Sequence, residues 1–194
     1  MQVGLYFGSF NPIHIGHLIL ANYIVEHSSL DKLWFVVSPH NPLKLKKTLL
    51  ADHHRLEMVY RACELYDKLE VSDIEFKLKQ PSYTVDTLIH LKERHPNHDF
   101  TLIMGQDSLQ SLPKWKNYEV LLEDYRILVY PRVSAGKPID SSLSNHPSVS
   151  LLSAPIIELS ATAIRKDIQE NRSVRPYLPD GVWEYIDEMN FYKN

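Results

Sequence analysis

Val3-Gly4-Leu5-Tyr6-Phe7 runs directly into Gly8-Ser9-Phe10-Asn11-Pro12-Ile13-His14-Ile15-Gly16-His17, and the reading of that junction decides the fold. The first five residues are apolar and β-prone, and Gly8 closes them, so they predict a buried strand. From Ile15 to about His27, apolar Leu18, Ala21, Ile24 and Val25 recur at helical spacing. Leu33-Trp34-Phe35-Val36-Val37 then predicts a second buried strand, stopped by Ser38-Pro39. Strand, turn, helix and strand in that order make a βαβ unit, which requires parallel strands and a right-handed crossover.

The same alternation continues outward. Helical periodicity spans His54 to Tyr66, Val85 to Arg94 and Tyr118 to Leu122, and returns from Ala161 to Glu170 and Val182 to Met189. Extended runs are expected at Leu69 to Phe76, Phe100 to Met104, Arg126 to Tyr130 and Val149 to Leu152. This pattern predicts an α/β protein built on an open, doubly wound, Rossmann-like parallel sheet. A single domain is expected over residues 1–194, with a small helical C-terminal portion from about 160 to 194. Ser134 to Ser148, rich in Ser, Pro, Gly and Asn, reads as an excursion from the fold. Ligands in such sheets bind beyond the carboxyl ends of the strands, so the loops there are where chemistry is sought.

Composition narrows the partners. With 194 residues, 44% hydrophobic, 23% charged and a net charge of -3, the chain is an ordinary globular sequence. That balance does not suit general binding to nucleic acid or a membrane surface. Cys63, the one cysteine, lies in a helical stretch and reads as a buried structural thiol. No leader pattern opens the chain and no apolar run is long enough to span a bilayer, so a cytoplasmic location is expected.

The first loop carries the strongest chemical signal. Gly8 is expected to let the backbone turn tightly, and Pro12 to fix the loop before the helix begins. A helix N-terminus presents unpaired N–H groups and a positive dipole, which suit phosphate. His14 and His17, three apart, share a face of the first turn, and Gly16 between them leaves room against the backbone. Two such histidines can donate to phosphate oxygens as charge builds in a transition state. They would chelate zinc only with further ligands, and no nearby Cys, Asp or Glu completes a set. No protein metal site is therefore expected.

This run resembles the signature of nucleotidyltransferases of the H-x-G-H superfamily, which includes the class I aminoacyl-tRNA synthetases. The resemblance implies that His14 and His17 grip the phosphates of ATP and act in catalysis. It also places Gly8, Ser9, Phe10 and Gly16 in the ATP site. Phe7 stands where bacterial relatives often carry a second Gly, and Ser9 and Asn11 where Thr and Asp are common. Near the other end, Leu159-Ser160-Ala161-Thr162-Ala163-Ile164-Arg165 places two hydroxyls and an Arg at a helix start, a second anion cradle with Ser160 a plausible N-cap. It resembles the I-S-x-T-x-x-R motif of small adenylyltransferases, which implies ATP-phosphate contacts for Ser160 and Thr162 and a catalytic role for Arg165. A synthetase would carry a Lys-Met-Ser-Lys-Ser-type loop and a much longer chain.

Three middle segments narrow the acceptor. Pro81-Ser82-Tyr83-Thr84-Val85-Asp86-Thr87-Leu88 resembles the S-Y-T-x-D-T-L segment of nicotinate-nucleotide adenylyltransferases. Gly105-Gln106-Asp107-Ser108-Leu109, with Leu112 and Trp115, resembles their G-x-D-x-L…L…W segment. Ser38 to Lys44 stands where they have a proline-rich loop ending in His-Lys. By this resemblance Lys44, Tyr83, Thr84, Asp107 and Trp115 bind the pyridine nucleotide, while Gly105 and Asp107 also serve ATP. The chemistry suits them: a Trp face for a pyridine ring, an Asp for ribose hydroxyls, and a Lys for phosphate. Thr84 is expected to open a helix whose N–H groups meet a carboxylate, with no Lys or Arg in that segment.

The expected reaction moves AMP from ATP to nicotinate mononucleotide, giving nicotinate adenine dinucleotide and pyrophosphate. Mg2+ is expected to bridge the phosphates, held mostly by ATP and water. Nicotinamide mononucleotide and phosphopantetheine remain alternative acceptors, though the Ser-Tyr-Thr and Trp115 segments speak against the latter. A nucleotide-binding regulator without turnover is a further alternative. The sequence leaves the oligomeric state, including a homo-oligomer, open.

Overall fold

The apolar runs assemble into one parallel sheet in the computed structural model, which describes residues 1–39, 49–132 and 141–193. Its strands are β1 (Gln2–Gly8), β2 (Lys32–Val37), β3 (Leu69–Ser72), β4 (Asp99–Gly105), β5 (Arg126–Tyr130) and β6 (Val149–Leu151). They lie in the order β3-β2-β1-β4-β5-β6. β1 pairs with β2 on one side, Gly8 opposite Val37, and with β4 on the other, Tyr6 opposite Ile103. Strand order therefore reverses between β1 and β4, and the crevice at their carboxyl ends is where this topology binds ligands.

Helices cover both faces, which is why the strands read as continuous apolar runs. On one face lie α1 (Ile15–Glu26), α2 (Asp52–Cys63), α7 (Ala161–Gln169) and α8 (Asp180–Glu188), with Ile24, Met58, Ile164 and Val182 in a shared core. On the other lie α3 (Thr84–Arg94), α4 (Gln106–Ser111), α5 (Tyr118–Asp124) and the short α6 (Ser141–Ser144), around Leu88, Leu91, Leu109 and Leu121. The four apolar positions expected to face inward on α1 are all buried. Burial pushes the Cys63 thiol up to about 12, in keeping with a structural role.

Three elements differ from expectation. The extended run from Leu69 stops at Ser72, and Ile74–Lys77 forms a 3-10 turn that buries Glu75. Gly105 N-caps a helix that begins at once with Gln106, so the Asp107 segment is helical. The part of the Ser134–Ser148 stretch within the described residues opens with α6.

Candidate active site

The turn between β1 and α1 is not made as the glycine suggested. Among the described residues no glycine has positive φ, and Phe10 takes the left-handed turn with φ 44. Gly8 is required for closeness: a Cβ there would stand 2.6 Å from the Phe10 ring. That ring is buried against Tyr6, Phe35 and His17.

His14 is the N-cap of α1 and His17 lies one turn on; their rings stack at 3.7 Å and 24°. The backbone N–H of His14 donates to His17 Nδ1 at 3.2 Å, which leaves His17 Nε2 as that ring's N–H donor. Gly16 is the platform: a Cβ there would stand 3.0 Å from His14 Nδ1 and 3.2 Å from Ile157. His14 itself is 5% exposed, and its Nδ1 is buried with no hydrogen-bond partner among the described residues. Burial, and then the charge of Arg132, lower its pKa to about 4. It is thus a neutral ring at the edge of the core.

α7 begins where the sequence placed it. Ser160 Oγ accepts from Ala163 N–H at 3.2 Å, capping the helix while its own proton stays available to donate. Arg165 Nη1 donates to the Asn11 carbonyl at 2.7 Å and Nη2 to Thr162 Oγ1 at 3.3 Å. The two motifs farthest apart in sequence are therefore joined.

At the end of β5 stands a cation the sequence reading missed. Arg132 pairs with Asp107 at 3.5 Å, bonds Tyr130 Oη at 3.4 Å, and lies close enough to lower the pKa of His14. Tyr130 Oη in turn meets Tyr6 Oη at 3.2 Å. The signal was its place, two residues past a strand end on the carboxyl edge of the sheet.

Thr84 opens α3, as expected, and no side chain caps that helix. The segment itself carries no Lys or Arg, as expected, but the fold brings Lys116, next to Trp115, to 4.9 Å from the Tyr83 ring centre and 2.8 Å from Asp86. Trp115 is half-buried against the second core. Glu75 holds this region from beneath, taking hydrogen bonds from Thr87 Oγ1 at 2.9 Å and from the Ser38 and Ser82 hydroxyls. Burial raises its pKa against the lowering effect of those donors. Lys44 lies outside the described residues.

Arg55 on α2 ties these parts together, and the sequence reading missed it as well. Fully buried, it donates through Nε to Leu50 O (3.0 Å), through Nη1 to Ser9 O (2.6 Å) and Ser38 O (2.7 Å), and through Nη2 to Pro39 O (3.0 Å) and Asp52 (2.5 Å). The guanidinium's five N–H donors are all engaged. Asn11 is a second joint: its Oδ1 accepts from Leu50 N–H at 3.3 Å and from Tyr192 Oη–H at 2.7 Å.

Comparison with known proteins follows the same lines. The cytidylyltransferase-like family matches residues 5–167. A protein of Flavobacterium johnsoniae, named "Probable nicotinate-nucleotide adenylyltransferase", is 58% identical over 193 residues, covering 100% of each chain. One of the same name from Christiangramia forsetii is 57% identical over 99% of this chain and 98% of its own. Among solved structures, Plasmodium falciparum nicotinic acid mononucleotide adenylyltransferase, complexed with NaAD, superposes with a TM-score of 0.80. It covers 98% of this chain and 97% of its own at 23% identity, a likeness of fold.

Proposed function

The chain belongs to the cytidylyltransferase-like family, and from that premise we infer that it is a nicotinate-nucleotide adenylyltransferase. It moves AMP from ATP to nicotinate mononucleotide, giving nicotinate adenine dinucleotide and pyrophosphate in NAD biosynthesis. The observation that carries the site assignment is the seating of Arg165 on the first loop, 2.7 Å from the Asn11 carbonyl. It supports a single phosphate cradle made of the α1 N-terminus, His14, His17, Ser160, Thr162 and Arg165. Residues 1–194 act as one unit in this reading, since α7 and α8 share a core with α1 and α2.

The acceptor phosphate is already mostly dianionic at neutral pH, with a second pKa of about 6, so no general base is required. One of its oxygens attacks the α-phosphorus of ATP in line, the new P–O bond forms, and the bond to the β-phosphate breaks to release pyrophosphate. The protein's part is positioning and stabilisation of developing charge. His14 and His17 serve as donors, and the fixed charge comes from Arg165 and Arg132. A divalent cation such as Mg2+, entering with ATP, would offset phosphate charge. Asp107, the acidic side chain offered by the first turn of α4, is paired with Arg132, so such an ion would be held mostly by ATP and water.

At the acceptor end, the uncapped first turn of α3 aims N–H dipoles at the nicotinate carboxylate, and Lys116 offsets the charge of Asp86 beside it. An anion accepts from several donors at once, whereas the amide would bring its own NH2 against one of them. Such a mismatch costs about 1–3 kcal/mol. The expected discrimination against nicotinamide mononucleotide is about tenfold to several hundredfold. We take the reaction to run in the cytoplasm; no helix among the described residues is long and apolar enough to cross a membrane.

The test offers ATP with nicotinate mononucleotide, its amide and phosphopantetheine, identifies the adenylylated product, and competes the two pyridine acceptors. A ratio of kcat/KM near one, or one favouring the amide, overturns the acid assignment. Adenylylation of phosphopantetheine alone overturns the whole reading.

A further inference from the structure

Tyr192, in the segment that follows α8, has been given no substrate to bind, yet its surroundings are unusual. Its hydroxyl is buried and donates to Asn11 Oδ1 at 2.7 Å. Its backbone adopts φ 62, a left-handed conformation that a bulky aromatic residue rarely takes. Phe10, which immediately precedes Asn11, is also left-handed, with φ 44. Strained backbone persists only where the surroundings over-determine it. Here one strained residue precedes the asparagine in the chain and the other, from the far end of the sequence, is hydrogen-bonded to it.

What Asn11 does explains why that matters. Its side-chain oxygen takes two donors, Tyr192 Oη–H and Leu50 N–H, which fixes the orientation of the amide. Its backbone carbonyl accepts Arg165 Nη1 at 2.7 Å. The residue is 4% exposed, so water does not substitute for a lost partner. Three residues on, His14 caps α1. A rotation of Asn11 would move the seat of Arg165 and the entry to the helix that carries both histidines.

We propose that Tyr192 is a positioning residue for phosphate chemistry: by holding Asn11 it sets Arg165 against the His14–His17 turn. This rests on the reading of Arg165 and the histidines as phosphate ligands. Tyr192→Phe removes one hydroxyl and keeps the ring that packs beside Phe191 and the α2–α8 core. A residue that merely completed that packing would show its effect in stability alone. A positioning residue shows it in the transition state, with the fold intact.

The test compares wild type, Tyr192→Phe, Asn11→Leu, the double variant and Asn11→Asp as full chains. Turnover with ATP and nicotinate mononucleotide, ATP binding by calorimetry, and melting temperature are measured for each. Tyr192→Phe is expected to lower kcat about tenfold, with KM for nicotinate mononucleotide within about twofold and melting within a few degrees. Asn11→Leu should lose at least as much, the double variant little more, and Asn11→Asp, which keeps the acceptor oxygen, should lose less than Asn11→Leu. Unchanged kcat in Tyr192→Phe overturns the proposal. So does a loss matched by the unfolded fraction, or losses that simply multiply in the double variant. If wild type itself does not turn over nicotinate mononucleotide, the functional reading has failed. The proposal is then judged on ATP affinity: weakened binding in Tyr192→Phe that Asn11→Asp does not share upholds it, and equal affinity in all variants overturns it.

Discussion

A histidine with 5% of its surface exposed has lost the water that would stabilise its charged form. His14 accordingly titrates near 4, from burial first and the charge of Arg132 second, against an ordinary value of 6.5. The folded value lies below the unfolded one, so between them the unfolded chain takes up a proton that the folded chain refuses. This contribution is fully favourable above pH 6.5 and is lost as pH falls from 6.5 toward 4. At 1.36 kcal/mol per pKa unit the loss is about 3 kcal/mol, an order-of-magnitude figure. Denaturant unfolding of wild type and His14→Asn at pH 7 and pH 4.5 measures it. The variant is expected to gain about 2–3 kcal/mol on wild type across that range, and parallel curves would refute the burial argument. Two histidines in a turn were legible in the sequence because spacing alone puts them on one face. That His14 is sunk and neutral depends on Gly16, Ile157 and Arg132, which only the tertiary fold brings together.

At the scale of elements, motifs beside a regular apolar run were readable because the run fixes where they sit. Ser160 capping α7 and Thr84 opening α3 are of this kind. α4 was not readable, since its six residues are too short for any periodicity, and the strand from Leu69 was overextended because a buried 3-10 turn carries apolar residues as a strand does. The start of α1 gives the sharpest element-scale prediction. A methyl group at position 16 would press on the His14 ring at 3.0–3.1 Å and on Ile157 at 3.2 Å, tighter than ordinary contact, so the ring must shift to admit it. Gly16→Ala, a good helix substitution by propensity, is therefore expected to cut turnover at least about tenfold while leaving helical circular dichroism unchanged. Retained turnover would mean the histidine stack is not needed in this geometry.

The molecule as a whole is held by a few long-range joints whose members sit on different elements. Strand order was legible in kind, a doubly wound sheet, because helices and strands alternate; the joints were not. Arg55 gave one sequence signal: it shares the i, i+3, i+4, i+7 stripe of Met58, Val59 and Ala62, so it lies on the face that α2 buries. A charge on an apolar stripe is costly unless every donor is met, and here five are. Arg55→Lys keeps the charge but not the fork, and is expected to cost about 3 kcal/mol in denaturant unfolding. KM should rise for ATP and acceptor together, because the loops after β1 and β2 share the tie. A change confined to one substrate would show the loops to be independent.

Four of the five partners of that guanidinium are main-chain carbonyls, those of Ser9, Ser38, Pro39 and Leu50. A grip on carbonyl oxygens does not read what side chain each of those residues bears. In a map of all single substitutions, position 55 should form a dark row, while this tie imposes no preference on the four columns it holds. Sequence drift at those four positions is thereby uncoupled from this tie, and their side chains could change without loosening it.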